Sequence, residues 1–132
     1  MSSPRAVAAS LIKGIENRSW TELSALYDEN VVVEHPFNRP APTRINGLAE
    51  LTAHFEAAPT GKVDLVPHDV VIRETDDPEV VVVQYDYTIT AKESGRSMET
   101  PNILVIRVRD GRITHSVDYH DHAALNEFFA AG

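Results

Sequence analysis

Residues 80–121 read VVVVQYDYTITAKESGRSMETPNILVIRVRDGRITHSVDYHD, and the fold turns on this stretch. β-Branched and aromatic residues dominate 80–91, 97–109 and 112–120, which favours extended backbone in all three runs. Ser94-Gly95 separates the first two, and Asp110-Gly111 separates the last two. Asp-Gly is a strong hairpin signal, because both central positions of the tight turn need positive φ. Upstream, Lys62 to Glu74 is a further run of the same kind, closed by Asp76-Asp77-Pro78. Four long strands joined by short turns pair most simply with their sequence neighbours, antiparallel. Strands of this length twist and curl in an open sheet, and one face then needs cover.

The cover comes from the N-terminal half. Val7, Leu11, Ile12 and Ile15 lie on one helical stripe between Pro4 and Asn17. Ser19 with Glu22 forms a capping-box pattern, and Trp20, Leu23, Leu26 and Tyr27 supply the apolar face of a second short helix. Val31-Val32-Val33 predicts a short strand that stops at His35-Pro36, and His35 to Pro42 reads as a loop. Leu48, Leu51 and Phe55 predict a third helix from Gly47 to Ala57, closed by Pro59 and Gly61. Asp121 caps a terminal helix carrying Leu125, Phe128 and Phe129. The expected class is α+β: a cone-shaped barrel made from a strongly curved mixed or antiparallel sheet. Three N-terminal helices cover its concave face, a short C-terminal helix caps it, and residues 1–132 form one domain.

Composition narrows the function classes. A formal charge of −8 with twelve scattered basic residues argues against nucleic acid and against an anionic membrane surface. With no cysteine there is no disulfide framework, thiolate metal site or cysteine nucleophile. The N-terminal segment reads as an amphipathic helix, so a cytoplasmic protein is expected. The outer face of the sheet also needs cover, and Val105 and Val117 suggest a homodimer through it.

The order helix-helix-strand-helix followed by four long strands resembles the nuclear transport factor 2-like superfamily over essentially the whole chain. VVVEHPF (31–37), the proline loop and INGLAELTAHFEA (45–57) resemble SnoaL-like polyketide cyclases and ketosteroid isomerases. DGRITHSVDYHD (110–121) resembles the closing hairpin of limonene-epoxide hydrolases. The resemblance implies an interior pocket for an apolar small molecule, and this fold carries isomerases, cyclases, hydrolases and binding modules alike.

The site residues follow position by position. His35 stands where ketosteroid isomerases carry an aspartate base and where the hydrolases carry an asparagine that orients water. Asp118 matches an acid on the last strand that the hydrolases and SnoaL-like cyclases use. Tyr85 and Tyr87 occupy the positions of the hydrolases' Arg-x-Asp pair, so the epoxide-opening triad is incomplete. The isomerases' Tyr and Asp oxyanion donors fall near Leu11 and near Ile103 or Leu104, which cannot serve.

The residue types then suggest a base. A neutral imidazole beside a buried carboxylate can remove a proton next to a carbonyl, since the carboxylate stabilises the imidazolium that forms. His35 and Asp118 are thus the expected catalytic pair, with Tyr85, Tyr87 or Asn102 as donors to the developing enolate. His120, Trp20, Phe37, Phe55 and Met98 complete the expected substrate-binding wall. No cofactor is expected. The His115, His120, Asp121, His122 cluster is read without a metal, because His115 has the opposite strand parity from His120 and Asp121 is explained as a helix cap. The expected function is a cyclase or isomerase acting on a polyketide- or terpenoid-like ketone. The alternatives are an epoxide hydrolase and a non-catalytic ligand-binding module.

Overall fold

The computed structural model describes residues 2–57 and 60–130. Helix α1 spans Pro4–Asn17, with Ser3 as N-cap accepting from the Ala6 amide, and α2 spans Trp20–Ser24, capped by Ser19. Strand β1 (Tyr27–His35), the short strand β2 (Thr43–Asn46) and α3 (Leu48–Ala57) follow. Next come β3 (Val63–Glu74), β4 (Val80–Ala91), β5 (Ser97–Arg109), β6 (Arg112–His120) and α4 (His122–Ala130). Pro59, expected to close α3, lies outside the described residues.

The six strands form one mixed sheet in the order β2-β1-β6-β5-β4-β3, and the sheet stays open. From β3 to β6 every neighbour pairs antiparallel, as expected. The expected Asp110-Gly111 hairpin forms, with φ of 53° and 75° at its two residues. Asp69, with φ of 54°, sits in the irregularity between His68 and Val71 that interrupts the β3–β4 register.

Three local readings are corrected. Tyr27 begins β1 and does not belong to the second helix, whose run ends at Ser24. Part of the segment after the proline loop becomes β2, antiparallel to β1 from Val32↔Asn46 to His35↔Thr43. β1 also pairs in parallel with β6, which sequence-adjacent pairing did not anticipate. Parallel pairing needs a long crossover, and here β2, α3 and the β3–β5 meander together provide it.

The core lies between the helices and one face of the sheet. Val7, Leu11 and Leu23 from the helices meet Val31, Val83, Ile106 and Ile113 from the strands. Each such side chain contributes about 1.5–3 kcal/mol on burial. Gly14 lets α1 and α2 approach: a Cβ there would lie 2.8 Å from Cδ2 of Leu23. A second apolar cluster joins Val63, Ile89 and Phe128, so α4 closes the sheet at its far end.

Candidate active site

Side chains alternate across a strand, so the register alone determines which residues share the covered face. Tyr85 stands opposite Asn102, and Asn102 stands opposite His120. One row further, Val83 faces Leu104 and Leu104 faces Asp118. Val83, Tyr85, Asn102 and Leu104 are buried, so Asp118 and His120 share the inward face with them. On β1 the buried residues are Val31, Val33 and His35, which brings His35 inward beside β6.

His35 and Asp118 therefore converge. His35 is 9% exposed, and its Nε2 lies 3.5 Å from Asp118 Oδ2. That separation is an ion contact, longer than a direct hydrogen bond of about 2.7–3.2 Å. The other carboxylate oxygen accepts from the Ser116 hydroxyl. Around this pair stand three more imidazoles. The His54, His120 and His122 rings have centroids 5.9, 5.9 and 5.8 Å from that of His35.

Burial keeps these surrounding rings neutral. It lowers the His120 pKa to about 4, against the opposing pull of Asp118. Burial likewise lowers His54 and His122, and the neighbouring His35 lowers both further. His120 also has a defined partner: its Nδ1 lies 2.6 Å from Asn102 Oδ1. A carboxamide oxygen can only accept, so Nδ1 carries the proton and Nε2 the lone pair.

Phenols form the other side of the cluster. The Tyr85 hydroxyl donates to the Tyr87 hydroxyl at 3.3 Å. Burial raises Tyr85 well above the usual phenol range, and burial with the Asp118 charge pushes Tyr87 up to about 12. Tyr27 is raised in the same way, by burial first and by Asp118 second. At neutral pH all three are protonated donors.

The expected wall residues divide. Trp20 and Phe55 stack on one another at 4.9 Å against the main core, and Met98 packs into the second cluster. Phe37 is 61% exposed and meets the Tyr119 ring edge-on at 5.3 Å. A cleft of about 400 Å³ opens at the start of α4, lined by Phe37, Asn102, Tyr119, His120 and His122 among others. His35 and Asp118 do not line this cleft; the His120 and His122 rings connect it to them. His115 points to the opposite face, where its Nε2 meets Glu34 at 2.6 Å, in keeping with its parity.

Sequence reasoning missed Tyr27 and His54 as site residues, and named His122 only within a cluster read without a metal. Tyr27 was absorbed into a helical stripe. His54 lies three residues after Leu51 on α3, a spacing that signals the covered side of the helix. His122 follows the Asp121 cap, and no local pattern reports where its ring goes.

Comparison with known proteins agrees with this architecture. Residues 8–116 match the SnoaL-like domain model. The chain is 30% identical over 114 residues to YesE, an uncharacterized protein of Bacillus subtilis strain 168, covering 85% of this chain and 75% of YesE. Among solved structures, a provisionally assigned isomerase from Bacillus subtilis superposes with a TM-score of 0.83 at 23% identity, over 96% of this chain and 91% of the other. A provisionally assigned polyketide cyclase from Xanthomonas campestris pv. campestris gives a TM-score of 0.76 at 20% identity, over 96% and 94%. With the open, helix-covered sheet, the inward His–Asp pair and a domain match over most of its length, the chain belongs to the SnoaL-like family.

Proposed function

We propose that this protein is a cofactor-free enzyme of the cyclase or isomerase kind, acting by general-base catalysis on a small apolar ketone of the polyketide or terpenoid class. The observation that carries the reading is the convergence of His35 and Asp118 at 3.5 Å on the covered face of the sheet. His35 Nε2 takes the proton from the carbon next to the carbonyl, and Asp118 stabilises the imidazolium that results. The enolate oxygen that develops needs a donor. Two phenols joined by one hydrogen bond use one of their two protons, so the Tyr85–Tyr87 pair has a second proton to give. In a cyclisation the enolate carbon then attacks a second carbonyl of the same substrate, and the imidazolium returns its proton to the alkoxide.

The similarity to proteins named as a polyketide cyclase and an isomerase is consistent with this chemistry. A ligand entering beside His120 and His122 would reach the base by displacing those two rings, which border the cleft.

The test is deuterium exchange at the α-carbon across a panel of polyketide-like ketones, followed by NMR in ²H₂O. Wild type should exchange at least one ketone, and Asp118→Asn and His35→Gln should each slow it by about 10²–10⁴-fold. Exchange no faster than in buffer, with ligand retained on the protein, would replace this reading by a binding module.

A further inference from the structure

Asp118 is a largely buried carboxylate whose side chain is 18% exposed. Among the described residues its carboxylate accepts from the Ser116 hydroxyl and makes an ion contact with His35. His35, Asp118 and His120 each place a ligand atom within 4.8 Å of the other two. The 3.5 Å between His35 Nε2 and Asp118 Oδ2 is long for a hydrogen bond and short for a bridging water. It fits two ligands on one small ion: a tetrahedral centre about 2.0–2.1 Å from each ligand sets them roughly 3.4 Å apart.

We infer that His35, Asp118 and His120 form a site for a divalent first-row transition ion of the zinc or ferrous class. Two imidazoles and one carboxylate are a borderline donor set that suits these ions better than magnesium or calcium, which take oxygen ligands. Three protein ligands leave a coordination position open. The support behind the ligands is also present. The Asn102 carbonyl oxygen holds the His120 Nδ1 proton, and this outer partner directs a histidine's other nitrogen toward a metal.

A second observation points the same way. His122 Nε2 is a buried ring nitrogen without a hydrogen-bond partner among the described residues. Its ring stands edge-on to both His35 and His120, at 5.8 and 5.6 Å. It can complete the coordination or bind a metal-held water.

The inference goes beyond the base reading: in the ion-free protein the His35 lone pair is the base, and a bound ion takes that lone pair and silences it, so the two states exclude one another at one site. A rival cluster exists on the other face of the sheet. His68, Asp69 and Asp86 also gather there, but His68 already bonds Asp69 at 2.8 Å and Thr88 at 2.9 Å.

The experiment is calorimetric titration of chelator-stripped protein with zinc chloride near neutral pH, repeated with cobalt(II) and followed by its visible absorption. One ion per chain is expected, with cobalt bands of low-symmetry coordination. Asp118→Asn and His120→Gln should each weaken binding about 100-fold or more. Asn102→Leu should weaken it about 10–100-fold, as loss of an outer partner does. His115→Gln and His68→Gln should leave it unchanged. Circular dichroism confirms that each variant is folded, and the two ligand variants give independent readings. Absence of stoichiometric binding, or binding abolished by His68→Gln and retained in both ligand variants, would overturn the assignment. Turnover is not measured, so failure here and failure of the base reading are separate results.

Discussion

Asn102 and His120 face each other across β5 and β6, and the Asn102 carbonyl oxygen accepts the His120 Nδ1 proton at 2.6 Å. Asn102 is 1% exposed, so this bond has little competition from water. Asn102→Leu keeps a similar volume and removes the acceptor. Stability should fall by about 1–3 kcal/mol, the cost of a buried donor left unmade. Urea unfolding near neutral pH measures it, and an unchanged midpoint would mean that His120 rotates to another partner.

Asp118 should be visible through the tyrosines. Burial dominates the raised values of Tyr27, Tyr85 and Tyr87, and the Asp118 charge adds to each. Asp118→Asn removes that charge and leaves burial in place. The phenolate absorbance should then begin to rise at lower pH than in wild type, with Tyr87 moving down from about 12. Superimposable titrations would place the phenols beyond the reach of the carboxylate.

Acid should weaken the fold through the interior histidines. The folded-state pKa of His120 is about 4, below its ordinary 6.5, so between these values the unfolded chain binds the extra proton. Stability is full above about 6.5 and is lost as pH falls toward 4, by on the order of 2 kcal/mol for this ring after allowing for its partial exposure. His54 and His122 are lowered too and act in the same direction. His68 is raised, first by its bond to Asp69, and acts oppositely, but it lies on the open face where solvent screens it. Urea midpoints between pH 7.5 and 4.5 should decline, and His120→Gln should flatten the curve. An equally steep decline in that variant would assign the effect elsewhere.

The outer face of the sheet predicts self-association. Ile103 is 41% exposed, and Val71, in the same cross-strand row through Gln84, is 39% exposed. The registers Ile103↔Tyr119 and Val105↔Val117 put a half-buried apolar strip beside them. Such a patch is usually covered in a soluble protein. Light scattering at micromolar concentration should give a dimer, and Ile103→Glu should give a monomer of unchanged circular dichroism. A monomeric wild type would leave the strip without a partner copy.

Much of the architecture was legible locally. The β-branched runs of 80–120, the Asp110-Gly111 turn and the Ser19 cap are choices of backbone conformation that neighbouring residues make by themselves. Strand parity carried further: Asp118 and His120 must share one face of 112–120 while His115 takes the other, but Asn102 joins them only because the β5–β6 register shifts between Arg107 and Val108, which the two-residue turn alone does not dictate. Two elements depended on distant chain. β2 is four residues long and extended mainly because β1 offers it an edge, and the parallel β1–β6 pairing joins segments about eighty residues apart.

The site followed the same division. His35 and Asp118 could be named from sequence because they stand at the acid and base positions of the families the chain resembles, and because an acid within an apolar strand is costly to bury without a purpose. Their meeting at 3.5 Å exists because the β1–β6 pairing sets one strand beside the other. Tyr85 and Tyr87 share a face by alternation along β4, but the approach of the His54 and His122 rings to His35 depends on how α3 and α4 pack on the sheet. Conformational preference and alternation act within a few residues and so determined the elements and the faces. The polar cluster is a product of long-range packing, which only the tertiary structure decided.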